Sequence, residues 1–147
     1  PVFKIWDGPM DHKGDPSKYP IICTTFRLVE HWQSGQMSRN LPWLVEMVPE
    51  MFVELSEELA ASKGVESGDK VKVSSARGEI EVNALVTKRF KPYTLDGKVV
   101  HQIGLPWHFG FIGLATGASA NTLTPNVGDA NTMIPEYKAF LVNLEKA

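Results

Sequence analysis

Two irregular stretches of the chain gather side chains that can hold a flat, polar, anionic ligand. The first runs Thr24-Thr25-Phe26-Arg27-Leu28-Val29-Glu30-His31-Trp32-Gln33-Ser34-Gly35-Gln36-Met37-Ser38-Arg39. The hydroxyls of Thr24, Thr25, Ser34 and Ser38 can donate to phosphate or carbonyl oxygens, and the planar fork of Arg27 suits a phosphate or a purine edge. Gly35 permits close backbone approach or a positive φ. The same residues also describe a strand end followed by a capped surface helix with ordinary charges. The second stretch, Gly104-Leu105-Pro106-Trp107-His108-Phe109-Gly110-Phe111-Ile112-Gly113, is aromatic and glycine-rich with one histidine. It suits stacking on a heterocycle or sealing against another domain, and it equally suits a β-bulge with core aromatics. Farther on, Asn121 can read a ring amide and Lys138 can pair with phosphate, although most loop residues of these types do neither.

Several common sites have no counterpart. There is no Walker loop, no G-x-G-x-x-G behind a strand, no H-E-x-x-H and no G-x-S-x-G elbow. The histidines His12, His31, His101 and His108 are scattered, which argues against a metal site. The single cysteine, Cys23, lies in an apolar run and reads as inert core; one thiol supports neither an internal disulfide nor an iron–sulfur site.

The elements that must position these residues are mostly strands. Tyr19–Phe26 is a short β-prone apolar run, and a short helix is conceivable near Leu28–Gln33 before a loop ending at Pro42. Met51–Leu55 reads as a strand. Ser56 can cap a helix through Lys63, with Glu57 and Glu58 in its first turn and Gly64 as the stop. Lys70–Ser74 and Glu79–Thr87 alternate apolar and polar residues around the Ala76-Arg77-Gly78 turn, the pattern of a hairpin. Residues 88–98 read as a loop and Val99–Leu105 as a strand. Residues 106–135 form a long loop, of the kind usually kept for function. Ala139–Leu144 is a final strand. Six or so short strands with one or two helices predict a mainly β protein built on a closed barrel with decorated loops.

The 147 residues suit one domain, 19–147, behind a Pro-, Gly-, Asp- and Lys-rich arm over 1–18. Apolar residues make up 43% and charged residues 22%, a globular composition, and the net charge of −2 argues against nucleic-acid binding. No apolar run approaches the ~20 residues of a membrane helix, so direct membrane insertion is not expected. The missing initiator methionine fits a processed chain or a piece of a longer one.

In order and spacing, Thr24-Thr25-x-Arg27, Glu30-His31-Trp32, Ser34-Gly35, Pro49-Glu50-x-Phe52-Val53-Glu54, Gly68-Asp69, Arg77-Gly78, Pro106-x-His108-x-Gly110, Asn121-x-Leu123-Thr124 and Pro135-Glu136-Tyr137-Lys138-Ala139-Phe140 resemble one known family. It is the C-terminal domain of formate dehydrogenase large subunits, in the dimethyl-sulfoxide-reductase superfamily. The resemblance covers nearly the whole chain from about residue 19. It implies a six-stranded double-psi β-barrel with a few short helices and long loops. It also implies binding of molybdopterin guanine dinucleotide, of which the family carries two around one Mo or W (bis-MGD). Carried over, Thr24, Thr25, Arg27, Glu30, His31 and Trp32 are first-loop contacts, with Ser34, Met37 and Ser38 behind them. His108, Asn121, Tyr137 and Lys138 are the late-loop contacts. Phe109 departs from the family's usual His-Trp-Gly, which leaves that contact open. The family's metal-ligating Cys or selenocysteine, its iron–sulfur cysteines and its formate-site residues lie in earlier domains. The chain is therefore expected to be inactive alone and to work with the remaining domains of the large subunit and an iron–sulfur electron-transfer subunit. The same cofactor domain from a nitrate, polysulfide or arsenate reductase is the alternative, followed by a stand-alone β-barrel binding module. Compartment, metal and electron acceptor are left open.

Overall fold

The computed structural model describes residues 14–129 and 131–147. The arm expected over 1–18, and His12 with it, therefore falls largely outside the described residues. Strand β1 is Ile21–Phe26, and its alternate residues Ile21, Cys23 and Thr25 point into the core. Helix α1 (Pro42–Met47) follows a 3-10 turn at Ser38–Asn40. Then come β2 (Phe52–Ser56), α2 (Glu57–Lys63), β3 (Lys70–Ser74), β4 (Glu79–Thr87), β5 (Tyr93–Leu95), β6 (Lys98–Val100), β7 (Gln102–Pro106), a 3-10 turn at Ala120–Thr122, and β8 (Phe140–Lys146).

Six of the strands close into a barrel in the order β1-β7-β2-β4-β3-β8. Two neighbouring pairs are parallel: β1 with β7, Ile22 opposite Gln102, and β2 with β4, Phe52 opposite Asn83. The other four contacts are antiparallel. Inward side chains of all six strands fill the centre, among them Val53, Leu55, Val71, Val73, Val82, Ile103, Leu105, Val142 and Leu144. Burying each such side chain contributes about 1.5–3 kcal/mol. Cys23 is fully buried there, which pushes its thiol pKa well up and leaves it unreactive.

These pairings set strand direction. β1, β3 and β7 run one way and β2, β4 and β8 the other, so the segments following β1, β3 and β7 all leave from one end. Both stretches singled out in the sequence therefore emerge at the same mouth.

The expected capped helix is present: the Leu59 N–H donates to Ser56 Oγ (3.1 Å), and Gly64 takes a left-handed conformation, φ 63°. Three local expectations are corrected. No helix forms over Leu28–Gln33, because Gln33 (φ 51°) and Gly35 (φ 82°) turn the chain into the left-handed region. The helix forms instead at Pro42–Met47, where Pro42 occupies the first turn. The loop read over 88–98 contains a two-stranded ribbon, β5–β6, turning on Asp96 and Gly97 with φ of 50° and 76°. The strand expected at Val99–Leu105 is accordingly divided, β6 ending at Val100 and β7 beginning at Gln102.

Candidate functional site

At the β1–β7 side of the mouth, Thr25, Arg27, Trp107, Tyr137 and Lys138 come together. Thr25 Oγ1 donates to the Tyr137 carbonyl at 3.0 Å, and Lys138 Nζ donates to the Thr25 carbonyl at 2.6 Å. The Trp107 N–H donates to the Phe26 carbonyl at 3.0 Å, which extends the β1–β7 ladder one residue past the strand. The Trp107 and Tyr137 rings stack with centroids 5.0 Å apart, and the Arg27 guanidinium lies 5.4 Å from the Trp107 centroid. Partial burial lowers the Lys138 pKa, and the Arg27 charge lowers it further. Among the described residues neither cation makes an ion pair with a carboxylate. Two like charges beside a flat aromatic stack form a cradle for a planar anion, whose charge would relieve their repulsion.

Behind this cradle the first loop is pinned to the second by buried histidines. His108 is fully buried; its Nδ1–H donates to the Gln33 carbonyl (2.6 Å) and its Nε2 accepts the Leu28 N–H (2.6 Å). That pair of bonds defines one neutral tautomer. Burial is the main cause of its lowered pKa; the Gln33 bond opposes the shift and the Arg27 charge adds to it. His31, also buried, donates from Nε2 to the Val48 carbonyl (3.0 Å) and meets Ser38 Oγ at Nδ1 (3.3 Å). Ser38 Oγ in turn accepts the Trp32 N–H at 2.9 Å. His31 packs against the Phe109 ring edge-on, centroids 5.6 Å apart. Thus His31, Ser38 and His108 lie inside the loop framework, while Trp32, Ser34 and Met37 are exposed on its surface and Glu30 is half-buried.

Not all the residues named from sequence converge on the cradle. Thr24 alternates with Thr25 and faces outward from the barrel beside Gly104. Asn121 sits at the same mouth but over the β3–β4 turn. There Arg77 Nη1 donates to the Thr124 carbonyl at 2.8 Å, and Thr124 Oγ1 lies 3.3 Å from Asn121 Oδ1. Among the described residues Asn121 bonds neither Arg27 nor Lys138.

Arg39 is the residue that sequence reasoning passed over. It is 3% exposed and donates from Nη1 to the carbonyls of Gly110 (3.3 Å), Ile112 and Ala115 (3.2 Å). Its own carbonyl accepts the Leu114 N–H at 2.8 Å. Only glycine fits at position 113, because a Cβ there would press to 2.9 Å from the Arg39 Cβ. A buried cation held by main-chain oxygens has no signature in sequence beyond an arginine near a charge-free, glycine-rich loop.

No group of three or more His, Cys, Asp or Glu suited to a metal occurs among the described residues, and no described helix is long and apolar enough to cross a membrane.

Comparison with known proteins follows the same outline. The family model described as "Molydopterin dinucleotide binding domain" matches residues 21–141. The formate dehydrogenase subunit alpha of Megalodesulfovibrio gigas is 54% identical over 90% of this chain, which spans 13% of that relative. The nitrate-inducible formate dehydrogenase major subunit of Escherichia coli is 49% identical over the full chain, which spans 14% of it. A nitrate reductase of Symbiobacterium thermophilum is 33% identical over 89% of the chain and 16% of its own length. Among solved structures, the acetylene hydratase of Pelobacter acetylenicus superposes with a TM-score of 0.66 at 18% identity, over 90% of this chain and 19% of that one, a likeness of fold. The chain thus spans 13–16% of the length of the curated relatives named here.

Proposed function

Because the chain belongs to the molybdopterin-dinucleotide-binding domain family, we propose that its cation cradle grips a molybdopterin guanine dinucleotide within a larger formate-oxidising enzyme. The adjacent cations Arg27 and Lys138 over the Trp107–Tyr137 stack carry this reading. The donor set fits the ligand. Pyrophosphate oxygens match the guanidinium and ammonium, and a flat ring system matches the aromatic pair. Asn121, over the β3–β4 turn, makes no hydrogen bond from its amide nitrogen among the described residues and can meet a ring edge there. His31, Ser38 and His108 hold the first loop in place, and Thr25 aligns Tyr137 with Lys138. Glu30, Trp32, Ser34 and Met37 extend the contact surface around the mouth, and Thr24 backs it from the outer face.

The bound bis-MGD, with Mo or W, would supply the redox chemistry, and this chain's residues would supply binding and orientation. In the whole protein, oxidation of formate to CO2 would pass two electrons to iron–sulfur centres. The partners are then the remaining domains of the large subunit and an iron–sulfur subunit. The similarity to a nitrate reductase keeps a second reading, in which the same cradle serves a different oxidoreductase.

In the full-length protein, Arg27→Ala and Lys138→Ala should each lower retained pterin and metal. Losing one charge-assisted hydrogen bond corresponds to about 1.5–3 kcal/mol, roughly ten- to a hundredfold in affinity. Metal analysis and pterin fluorescence after extensive dialysis make the measurement. Wild-type content in both variants would remove the cradle from the cofactor site.

A further inference from the structure

A second linkage reaches the cradle from outside the barrel. On β2, Val53 and Leu55 point into the core, so Glu54 between them faces outward, yet its side chain is only 6% exposed. Arg89 covers it. Arg89 Nε donates to Glu54 Oε1 at 2.8 Å, Nη2 donates to Oε2, and Thr87 Oγ1 donates to Oε1 at 2.8 Å. A buried carboxylate needs such partners, because an uncompensated charge there is strongly destabilising. The Arg89 guanidinium in turn lies 4.7 Å from the centroid of the Phe26 ring and 5.5 Å from that of Phe90. Phe26 belongs to β1 and Glu54 to β2, with β7 between them. The ring can cross because β7 carries Gly104 opposite Glu54. A Cβ at Gly104 would lie 2.8 Å from Phe26 Cε1 and 2.6 Å from Phe90 Cζ, so the missing side chain is the notch in which both rings sit.

We propose that Arg89 is a positioning residue for the cradle, acting through the Phe26 ring. The proposal rests on the cofactor reading above. Phe26 joins the two places: its ring is held on the outer face, its carbonyl accepts the Trp107 N–H, and the next residue is Arg27. Ladder pairing with β8 covers only residues 21–23, so the last residues of β1 depend on β7 and on side-chain contacts of this kind. A guanidinium can stay paired with a carboxylate and lie along an aromatic ring at the same time; a compact ammonium does one or the other. Fixing Phe26 before the ligand arrives keeps Arg27 and Trp107 in one arrangement, which spares the cost of ordering them on binding.

The test uses the full-length protein carrying Arg89→Lys, which keeps a charge beside Glu54 and removes the planar group. Hydrogen exchange, read by mass spectrometry on peptides containing Trp107, should run about tenfold faster than in wild type, with the β3–β4 hairpin peptides unchanged. Gly104→Ala, which fills the notch, should shift the same peptides in the same direction. Lys98→Ala, which removes an exposed cation of β6, should leave them as in wild type. Pterin should leave the Arg89→Lys protein about tenfold faster on dialysis. Adding Arg89→Lys to Arg27→Ala should speed that loss by less than about twofold more, because the side chain being placed is already gone. Wild-type exchange at Trp107 in both Arg89→Lys and Gly104→Ala overturns the proposal. Equal acceleration in the hairpin does so too, since it would mark general loosening, and so does a full second loss in the double variant. With pterin loss established in Arg27→Ala, wild-type retention in Arg89→Lys overturns the positioning alone. Wild-type retention in Arg27→Ala sinks the cofactor reading instead, and exchange at Trp107 then decides whether Arg89 places the cradle.

Discussion

His108 shows how a residue that resembles a ligand contact can act one layer behind it. Both ring nitrogens are committed, one giving to Gln33 and one taking from Leu28, so the ring joins the two loops only while neutral. Gly35 enforces the closeness of this joint, since a Cβ there would collide with the His108 carbonyl oxygen. The folded-state pKa of His108 is lowered below the usual 6.5, chiefly by burial. An unfolded chain therefore binds a proton that the folded one resists. The contribution of this group to stability is complete above pH 6.5 and declines as pH falls from there through the lowered folded value. Thermal melts from pH 7.5 to 4.5 should show wild type losing Tm more steeply below 6.5 than His108→Gln, whatever the variant's starting Tm. Parallel curves would exclude the mechanism.

Among the elements, those legible in the sequence are those whose signal is local. The Lys70–Ser74 and Glu79–Thr87 alternation encodes a half-buried hairpin, and Ser56 with Glu57 and Glu58 encodes a capped first turn. Ser56→Ala should cost about 1 kcal/mol in urea denaturation, the usual value of a lost N-cap, and a change within error would show that the strand, not the cap, holds this junction. Elements were missed where the run is short or the partner distant. Helix α1 is six residues with no buried face, so no helical period is present to read. The β5–β6 ribbon has strands of three residues, and its Asp96-Gly97 turn signal is overshadowed by the neighbouring Pro92. The candidate site was legible in part. Arg27 and Lys138 can be named because charge in a sparsely charged loop is visible. Their adjacency cannot, because it depends on β1 meeting β7 and on Lys138 reaching back to Thr25. Arg39 stayed hidden since its partners are carbonyls, which every residue has.

Across the whole molecule, closure removes free edges from the main sheet. β1 lies between β7 and β8, and β3 between β4 and β8. A chain stopped after Lys138 would leave β1 and β3 each with an unpaired edge and the core open along that seam. It should be insoluble or bind 8-anilinonaphthalene-sulfonate strongly, and a soluble, cooperatively melting product would show that five strands suffice. The same wiring has a consequence for biosynthesis. Ile21 pairs with Val142 and Ile22 with Gln102, so β1 gains one neighbour only when β7 has been made and the other only when β8 has. Local turns such as the β3–β4 hairpin can form while the chain is still tethered. The barrel, and every loop hung on its rim, can close only once β8 has left the exit tunnel.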